Sequence, residues 1–213
     1  MSITSNQTDD SDLAHFEMAR RGDFAAFEAI VARFQGRVFG LTRRITGQLQ
    51  DAEDVVQQTF LSVIEHIGEF RGESSVATWI LRIAANHALK ILRKRRGLPT
   101  VPLEADADDD SYATVPHPDF IAQWRDNPAD LVQQAETKQL IESSLAELDE
   151  KYRVVFVLRD VEGLSIKETA ELVGISEANV KIRLLRARLL LRERLTRILG
   201  DESQRMIPNH EHG

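Results

Sequence analysis

Apolar residues recur every three to four positions along two long stretches of the chain, and the stretch between them lacks this spacing. The first runs from Leu13 to about Arg96 and the second from about Ala129 to Leu199. This spacing places apolar side chains on one face of a helix, so both stretches are predicted to be helical. We therefore expect an all-α protein made of two small helical domains.

The segment between the two stretches differs from them in composition. It holds five of the six prolines and an excess of acidic residues, a pattern that interrupts helices. The prediction is one domain at residues 13–97 and a second at 129–199, joined by a flexible acidic linker at 98–128. The polar N-terminal residues 1–12 are expected to be disordered, and the C-terminal tail 200–213 to be loose.

Breaks in the apolar spacing divide the main part of the first domain into three helices. The first of these ends at Gly47, the second runs from about Asp51 to Ile67, and the third starts near Val76. Acidic residues in the first turn of the second helix favour the helix dipole. Its buried stripe is predicted to be Val55, Val56, Phe60, Val63, Ile64 and Ile67.

The second domain contains the pattern of a helix-turn-helix. Ser165 and Glu168 have the spacing of a capping box, Gly174 supports a tight turn, and Ser176 caps the next helix. That next helix, which starts near Glu177, is predicted to bury Val180 and Leu184 and to expose Asn179, Lys181, Arg183 and Arg186. Its first turns would enter the DNA major groove, where Asn and Arg hydrogen-bond base edges and Lys binds phosphate.

Charge is segregated along the chain, although the net charge of −7 at first argues against nucleic-acid binding. The run from Arg82 to Arg96 has six basic residues and no acid, and the run from Ala178 to Leu199 has seven against one. Phosphate binding depends on such local basic stripes more than on net charge. Either stripe alone also fits a solvated helix face, and a helix-turn-helix also fits a purely protein-binding role.

Two further patterns in the first domain suggest binding surfaces. Asp54, Gln57, Gln58 and Leu61 share one helix face opposite the predicted buried stripe, which suits a protein partner and equally an ordinary solvated face. The segment at 70–79 contains a loop and Trp79, and Asn86 and the basic run follow it. Cations that follow a backbone, an aromatic ring for stacking and an amide for a base edge fit single-stranded nucleic acid. Taken alone, Trp79 fits a core position.

These motifs together resemble the extracytoplasmic-function sigma factors of bacterial RNA polymerase. Residues 22–96 resemble their region-2 domain, above all at 51–60 and 70–75, and residues 145–195 are similar to their region-4 domain, notably at 180–188. The resemblance covers roughly 150 of the 213 residues, in the order of the family. Ala178-Asn179 and Ile182 depart from the pattern of the family, which leaves the −35 sequence open.

The resemblance implies a protein that is not an enzyme and that directs promoter-specific initiation by core RNA polymerase. It implies contacts with the polymerase clamp helices (β′ subunit), with the β flap as a further contact, through Asp54, Gln57, Gln58 and Leu61. It implies binding of the single-stranded −10 element, and help in melting it, by Gly72, Glu73, Ser74, Ser75, Trp79, Asn86, Lys90, Arg93, Lys94, Arg95 and Arg96. It implies binding of the double-stranded −35 element by Glu177, Asn179, Lys181, Arg183, Arg186 and Arg188.

No cofactor or metal site is expected. The chain has no cysteine, and His66 is 12 residues from Asp54, ~18 Å along a helix and too far to share a metal or acid-base site with it. A polar, acidic N-terminus and short apolar runs predict a cytoplasmic protein without a membrane span. Because no thiol can act as a sensor, an anti-sigma partner is expected by family analogy. The alternative is a helix-turn-helix regulator that acts without polymerase, which leaves the first domain unexplained.

Overall fold

The computed structural model describes residues 3–97 and 135–199, and both parts are built from helices. The helices of the first part are α1 (Ile3–Arg20), α2 (Phe24–Thr46), α3 (Leu49–His66) and α4 (Val76–Arg95), with a 3-10 turn at Ile67–Glu69. Those of the second are α5 (Ala135–Ala146), α6 (Glu150–Phe156), α7 (Ile166–Val173) and α8 (Glu177–Leu199), with a π-helical segment at Val157–Val161. These two parts contain no strand, so the all-α prediction is confirmed. The predicted linker at 98–128 and tail at 200–213 lie outside the described residues.

Helix α2 is the centre of the first domain, and α1, α3 and α4 all pack against it. It begins at Asp23, whose carboxylate accepts a hydrogen bond from the Ala26 N–H at 3.1 Å. It ends at Gly47, whose φ of 72° is a left-handed conformation that glycine adopts without strain. The predicted helix end at Gly47 is therefore confirmed. The side chains of α2 that are buried among the other helices are Ile30, Phe34, Val38, Leu41 and Ile45.

The N-terminal segment differs from the prediction, because its first twelve residues are helical from Ile3 onward instead of disordered. The Phe16 side chain is fully buried, and its ring lies edge-on to that of Phe70 with the centroids 4.8 Å apart. Asp12 is also buried and pairs with Arg33 at 3.3 Å. These anchors nucleate α1, and adding residues to an existing helix avoids the unfavourable nucleation step.

Helix α3 buries one face, which includes Val55, Thr59 and Val63. The predicted burial of Ile64 was wrong, because 48% of that residue is exposed. Ile64 is nine residues from Val55, which corresponds to two and a half helical turns and places it on the opposite side of the helix. The periodicity of α3 was therefore identified correctly, but one apolar residue was assigned to the wrong face.

Helices α7 and α8 form the helix-turn-helix of the second domain. The Ser165 Oγ accepts a hydrogen bond from the Glu168 N–H at 3.1 Å, and the Glu168 carboxylate accepts one from the Ser165 N–H at 2.8 Å. Gly174 ends α7 with a φ of 79°, and the Ser176 Oγ caps α8 by accepting from the Asn179 N–H at 3.2 Å. The capping box, the glycine turn and the second cap are thereby confirmed.

Removing the capping hydroxyl should destabilise the second domain measurably. We expect Ser165→Ala to lower the free energy of unfolding by about 1 kcal/mol in urea titrations, because an N–H of α7 loses its acceptor. The Ser165 hydrogen bonds also lower the pKa of Glu168. This charge-dependent part is complete above the ordinary glutamate pKa and is lost as the pH falls through the lowered folded value. Ser143→Ala, at an exposed position inside α5, is the control, and equal stability of the two variants would contradict the assigned cap.

The two domains pack against each other, which the sequence did not predict. Helix α2 contacts α5, α6 and the π-helical segment, and α4 contacts α7. The buried apolar residues of both domains belong to one contiguous cluster that extends from Phe16 to Leu191. Among the described helices, none is long and apolar enough to cross a lipid bilayer.

Candidate functional site

The polar face of α3 is open to solvent. Asp54, Gln57, Gln58 and Leu61, here called the contact face, are all exposed, and 59% of Leu61 is accessible. The exposed Ile64 extends this face by a second apolar side chain that the sequence reasoning had placed in the core. The signal that could have revealed it is the seven-residue spacing from Gln57, which corresponds to two helical turns. Polar groups around two exposed apolar side chains are typical of a protein-binding surface.

Helix α4 carries its polar residues on two neighbouring stripes. Arg82, Arg93 and Arg96 are separated by 11 and 14 residues, about three and four helical turns, and form the arginine stripe. Their side chains are partly covered. Asn86, Lys90 and Lys94 are four residues apart and form the lysine stripe, which is exposed along its whole length. The amide and two cations of the lysine stripe are therefore accessible to a nucleic acid.

A hollow of about 290 Å³ lies beside Asn86, between the end of α3 and the start of α4. Its lining combines Trp79 and Ile83 with residues that the sequence reasoning missed, namely Ser62, His66, Glu69 and His87. The His87 Nε2 and the Ser62 Oγ share a hydrogen bond of 3.0 Å, and burial together with the nearby Lys90 lowers the pKa of His87. The missed signal is that Ser62 and His66 are one turn apart on α3.

The loop before α4 combines structural and accessible groups. Gly72 and Glu73 are exposed, whereas Ser74 and Ser75 are partly buried. The Ser75 Oγ accepts a hydrogen bond from the Thr78 N–H at 3.1 Å and thereby caps α4. The structure therefore gives Ser75 a role in starting the helix, apart from any contact with DNA.

Trp79 is partly buried and belongs to an aromatic cluster. Its ring lies edge-on to Phe16 and Phe70, with centroids 5.4 and 5.7 Å away. This arrangement fixes the indole in the wall of the hollow while leaving part of it accessible. The core interpretation and the site interpretation of Trp79 thus both have a structural basis.

The C-terminal end of α4 is fastened to its own domain by Arg95. This arginine forms an ion pair with Asp51, and its Nη1 donates to the Thr46 carbonyl oxygen at 2.8 Å. Arg95 therefore ties α4 to the turn between α2 and α3. Its predicted contact with the −10 element stays a prediction.

The recognition helix α8 presents some of the expected residues to solvent. Glu177 and Lys181 are exposed, and Asn179 is partly exposed. Arg188 is exposed, but its guanidinium donates two hydrogen bonds of 2.8 Å to Asp160, which raise the pKa of Arg188. A phosphate would have to replace Asp160 to reach both donors of Arg188.

The expected exposure of Arg183 and Arg186 was wrong. Both side chains are buried, with 1% and 4% accessible. The sequence reasoning placed only α7 against α8, but α5 and α6 also pack on this helix. The Arg186 Nη1 donates to the Tyr152 hydroxyl on α6 at 3.0 Å, so the packing of α6 covers a face that a two-helix motif would leave open. Their contact with the −35 element stays a prediction that requires this face to open.

Metal chemistry finds no support in the described parts of the chain. Within them, no group of three or more His, Asp or Glu side chains is placed to hold a metal ion. The features that remain are an exposed contact face, an amide and cations beside a hollow, and a helix-turn-helix.

Comparison with known families agrees with this division into two modules. Residues 30–97 match the family described as Sigma-70 region 2, and residues 138–191 match the one described as Sigma-70, region 4. The two matches stand in the order of the two helical domains. Together with the fold they define the chain as a sigma factor of the sigma-70 class.

Similar proteins identify the branch of this class. The chain is 31% identical to the ECF RNA polymerase sigma-E factor of Haemophilus influenzae, over 87% of this chain and 95% of that protein. It is 33% identical to the ECF RNA polymerase sigma factor SigM of Mycobacterium tuberculosis, over 84% of this chain and 80% of that protein. The chain therefore belongs to the extracytoplasmic-function (ECF) sigma factors, which direct RNA polymerase to promoters.

Two solved structures share the fold. The structure of CnrH in complex with the cytosolic domain of CnrY has 26% identity and a TM-score of 0.51, over 85% of this chain and 94% of that chain. The sigma factor RpoE from Bartonella quintana, solved with the anti-sigma factor NepR, has 22% identity and a TM-score of 0.55. It covers 80% of this chain and 96% of that chain.

Proposed function

We propose that this sigma factor divides promoter recognition among three surfaces. The contact face of α3 binds the β′ clamp helices of core polymerase, and the second domain also contacts the β flap. The lysine stripe and the hollow beside it bind the single-stranded −10 element, and the first turns of α8 read the −35 duplex. The observation that carries this proposal is that α3 and α4, side by side in one domain, expose a protein-binding face and a cationic stripe respectively.

The hollow gives the −10 strand a place for a base that has left the duplex. Removing a base from the stack costs on the order of a few kcal/mol, which contacts with the extruded base offset in part. Trp79 supplies an aromatic wall, Asn86 an amide for the base edge, and Lys90 and Lys94 cations for the backbone. The protein thus promotes strand opening by binding and performs no covalent chemistry.

An anti-sigma protein is the proposed regulator of this chain. The chain contains no cysteine, so redox sensing by thiols within it is excluded. RpoE, whose fold is similar, was solved with an anti-sigma factor. A partner that covers the contact face would keep the protein from polymerase, and both would act in the cytoplasm, where transcription takes place.

In-vitro transcription with purified core polymerase tests the proposed function. We expect the full chain to produce promoter-specific transcripts that core polymerase alone does not produce. A helix-turn-helix regulator that works without polymerase would instead bind intact duplex DNA and add no initiation. That second outcome would overturn the proposal.

Asn86 offers a test of the −10 surface alone. Asn86→Ala should weaken binding of a single-stranded −10 oligonucleotide by the holoenzyme about tenfold, because a base edge loses its hydrogen-bond partner. Fluorescence anisotropy of a labelled oligonucleotide measures the affinity. Gln35→Ala removes an exposed amide from α2 and is the matched control. Equal affinity of both variants would remove Asn86 from the site.

A further inference from the structure

The ion pairs between the two domains all have the same polarity. In the described parts of the chain, each pair that crosses the interface joins an arginine of the first domain to a glutamate of the second. The pairs are Arg37–Glu162 at 2.9 Å, Arg44–Glu142 at 2.5 Å, Arg82–Glu171 at 3.4 Å, Arg82–Glu168 at 3.9 Å and Arg96–Glu150 at 2.9 Å. The second domain therefore presents a set of carboxylates to cations of the first.

The whole arginine stripe of α4 lies in this interface. Arg82 and Arg96 form the ion pairs with glutamates, and the Arg93 Nη2 donates to the Leu172 carbonyl oxygen at 3.2 Å. The lysine stripe and the contact face remain exposed. Docking of the second domain thus covers one flank of α4 and leaves the polymerase-binding side of α3 open.

The docked arrangement cannot bind both promoter elements at once. The centres of the −10 and −35 elements are about 25 base pairs apart, which corresponds to ~85 Å of B-DNA. Leu172, which contacts Arg93, is five residues from Glu177 at the start of α8, at most ~19 Å along an extended chain. The recognition helix therefore starts too close to α4 to reach the −35 element while α4 holds the −10 element.

We propose that the docked domains are a closed state in which glutamates of the second domain occupy arginines used by the −10 strand. This inference rests on the proposed role of α4. The carboxylates of Glu150, Glu168 and Glu171 take the place of backbone phosphates, so the strand and the second domain compete for Arg82 and Arg96. Promoter binding requires the interface to separate, and polymerase can bind the exposed contact face before that happens.

Spin labels can measure the separation directly, because a chain without cysteine accepts unique labelling sites. Glu28→Cys on α2 and Arg192→Cys on α8 are exposed positions, and Glu28 is nine residues, half a turn out of phase, from Arg37 at the interface. We expect a short, narrow distance distribution in the free full chain. Addition of core polymerase and promoter DNA should shift it to longer distances.

Neutralising the glutamates should open the chain without removing any cation. In the triple variant Glu150→Gln, Glu168→Gln and Glu171→Gln, the side chains keep their size, and glutamine also fits the capping box. We expect the spin-label distance to lengthen and the affinity of the free chain for a −10 single strand to rise about tenfold, if about nine tenths of the wild type is closed. The salt dependence of this binding should steepen by about 0.7 log units for each arginine that gains a phosphate.

A second triple variant controls for the change in net charge. Glu147→Gln, Asp149→Asn and Glu193→Gln remove the same charge from the second domain away from the arginine stripe. It should leave the spin-label distance and the tenfold gain unchanged from wild type.

The outcomes separate the two ideas. Equal distances and equal affinities in wild type and both triple variants would overturn the closed state. A failure of the proposed function looks different, because the glutamine variant would then open by spin-label distance and still bind no −10 strand. That result would remove the strand from α4 and, with it, the competition proposed here.

Discussion

Replacing Asp54 and Gln57 together with alanine is expected to weaken binding of core polymerase about tenfold or more. Both residues lie on the exposed contact face beside Leu61, where a partner would desolvate their hydrogen-bonding groups. Truncating such central residues leaves the groups of the partner unpaired, which accounts for the large effects at interface hot spots. Titration of labelled sigma factor with core polymerase measures the affinity.

The design separates loss of contact from loss of fold. The variant should retain −35 duplex binding by the second domain, because none of the changed atoms belongs to it. Glu28→Ala with Gln35→Ala removes one exposed carboxylate and one exposed amide from α2 and should leave polymerase binding unchanged. Unaltered polymerase affinity in the α3 variant would dismiss the contact face, and loss of both activities would point to misfolding.

The largest expected effect on stability is that of Phe16→Ala, about 3–5 kcal/mol of unfolding free energy. The Phe16 side chain is fully buried and lies edge-on to both Phe70 and Trp79, so alanine leaves a cavity and removes two aromatic contacts. Urea titration followed by tryptophan fluorescence measures the loss. Because Phe16 supports the indole that lines the hollow, we also expect weaker binding of the −10 strand.

A second phenylalanine provides the comparison for this variant. Phe24, at the start of α2, is 67% exposed, and Phe24→Ala should change stability by no more than about 0.5 kcal/mol. If the two variants were equally stable, α1 would not be docked as described.

Features that depend on neighbours in the sequence were predictable. The end of α2 at Gly47, the start of α4 near Val76 and the capping box of Ser165 and Glu168 depend on groups within a few residues of each other. Their hydrogen bonds form in any context that lets the helix form, so the residue types suffice to place them. The order of the helices and the division into two modules followed from the same local signals.

Features that depend on tertiary packing were not predictable. Nothing adjacent to Arg186 in the sequence indicates that Tyr152, 34 residues away, accepts its hydrogen bond. The pairing of Arg82 with Glu171 likewise depends on how two domains dock, because an arginine stripe looks the same whether it faces solvent, DNA or carboxylates. The hollow beside Asn86 needs both α3 and α4 in place before Ser62 becomes part of it.

The division of α4 into a covered and an open stripe has a kinetic consequence. A single strand can first associate with the exposed Lys90 and Lys94 while the neighbouring arginines are still paired with glutamates. It can then displace the carboxylates one at a time, as an invading strand displaces another from a toehold, without waiting for spontaneous separation. The observed opening rate should therefore increase with oligonucleotide concentration, which is the signature of induced fit, instead of being limited by a fixed rate of domain release.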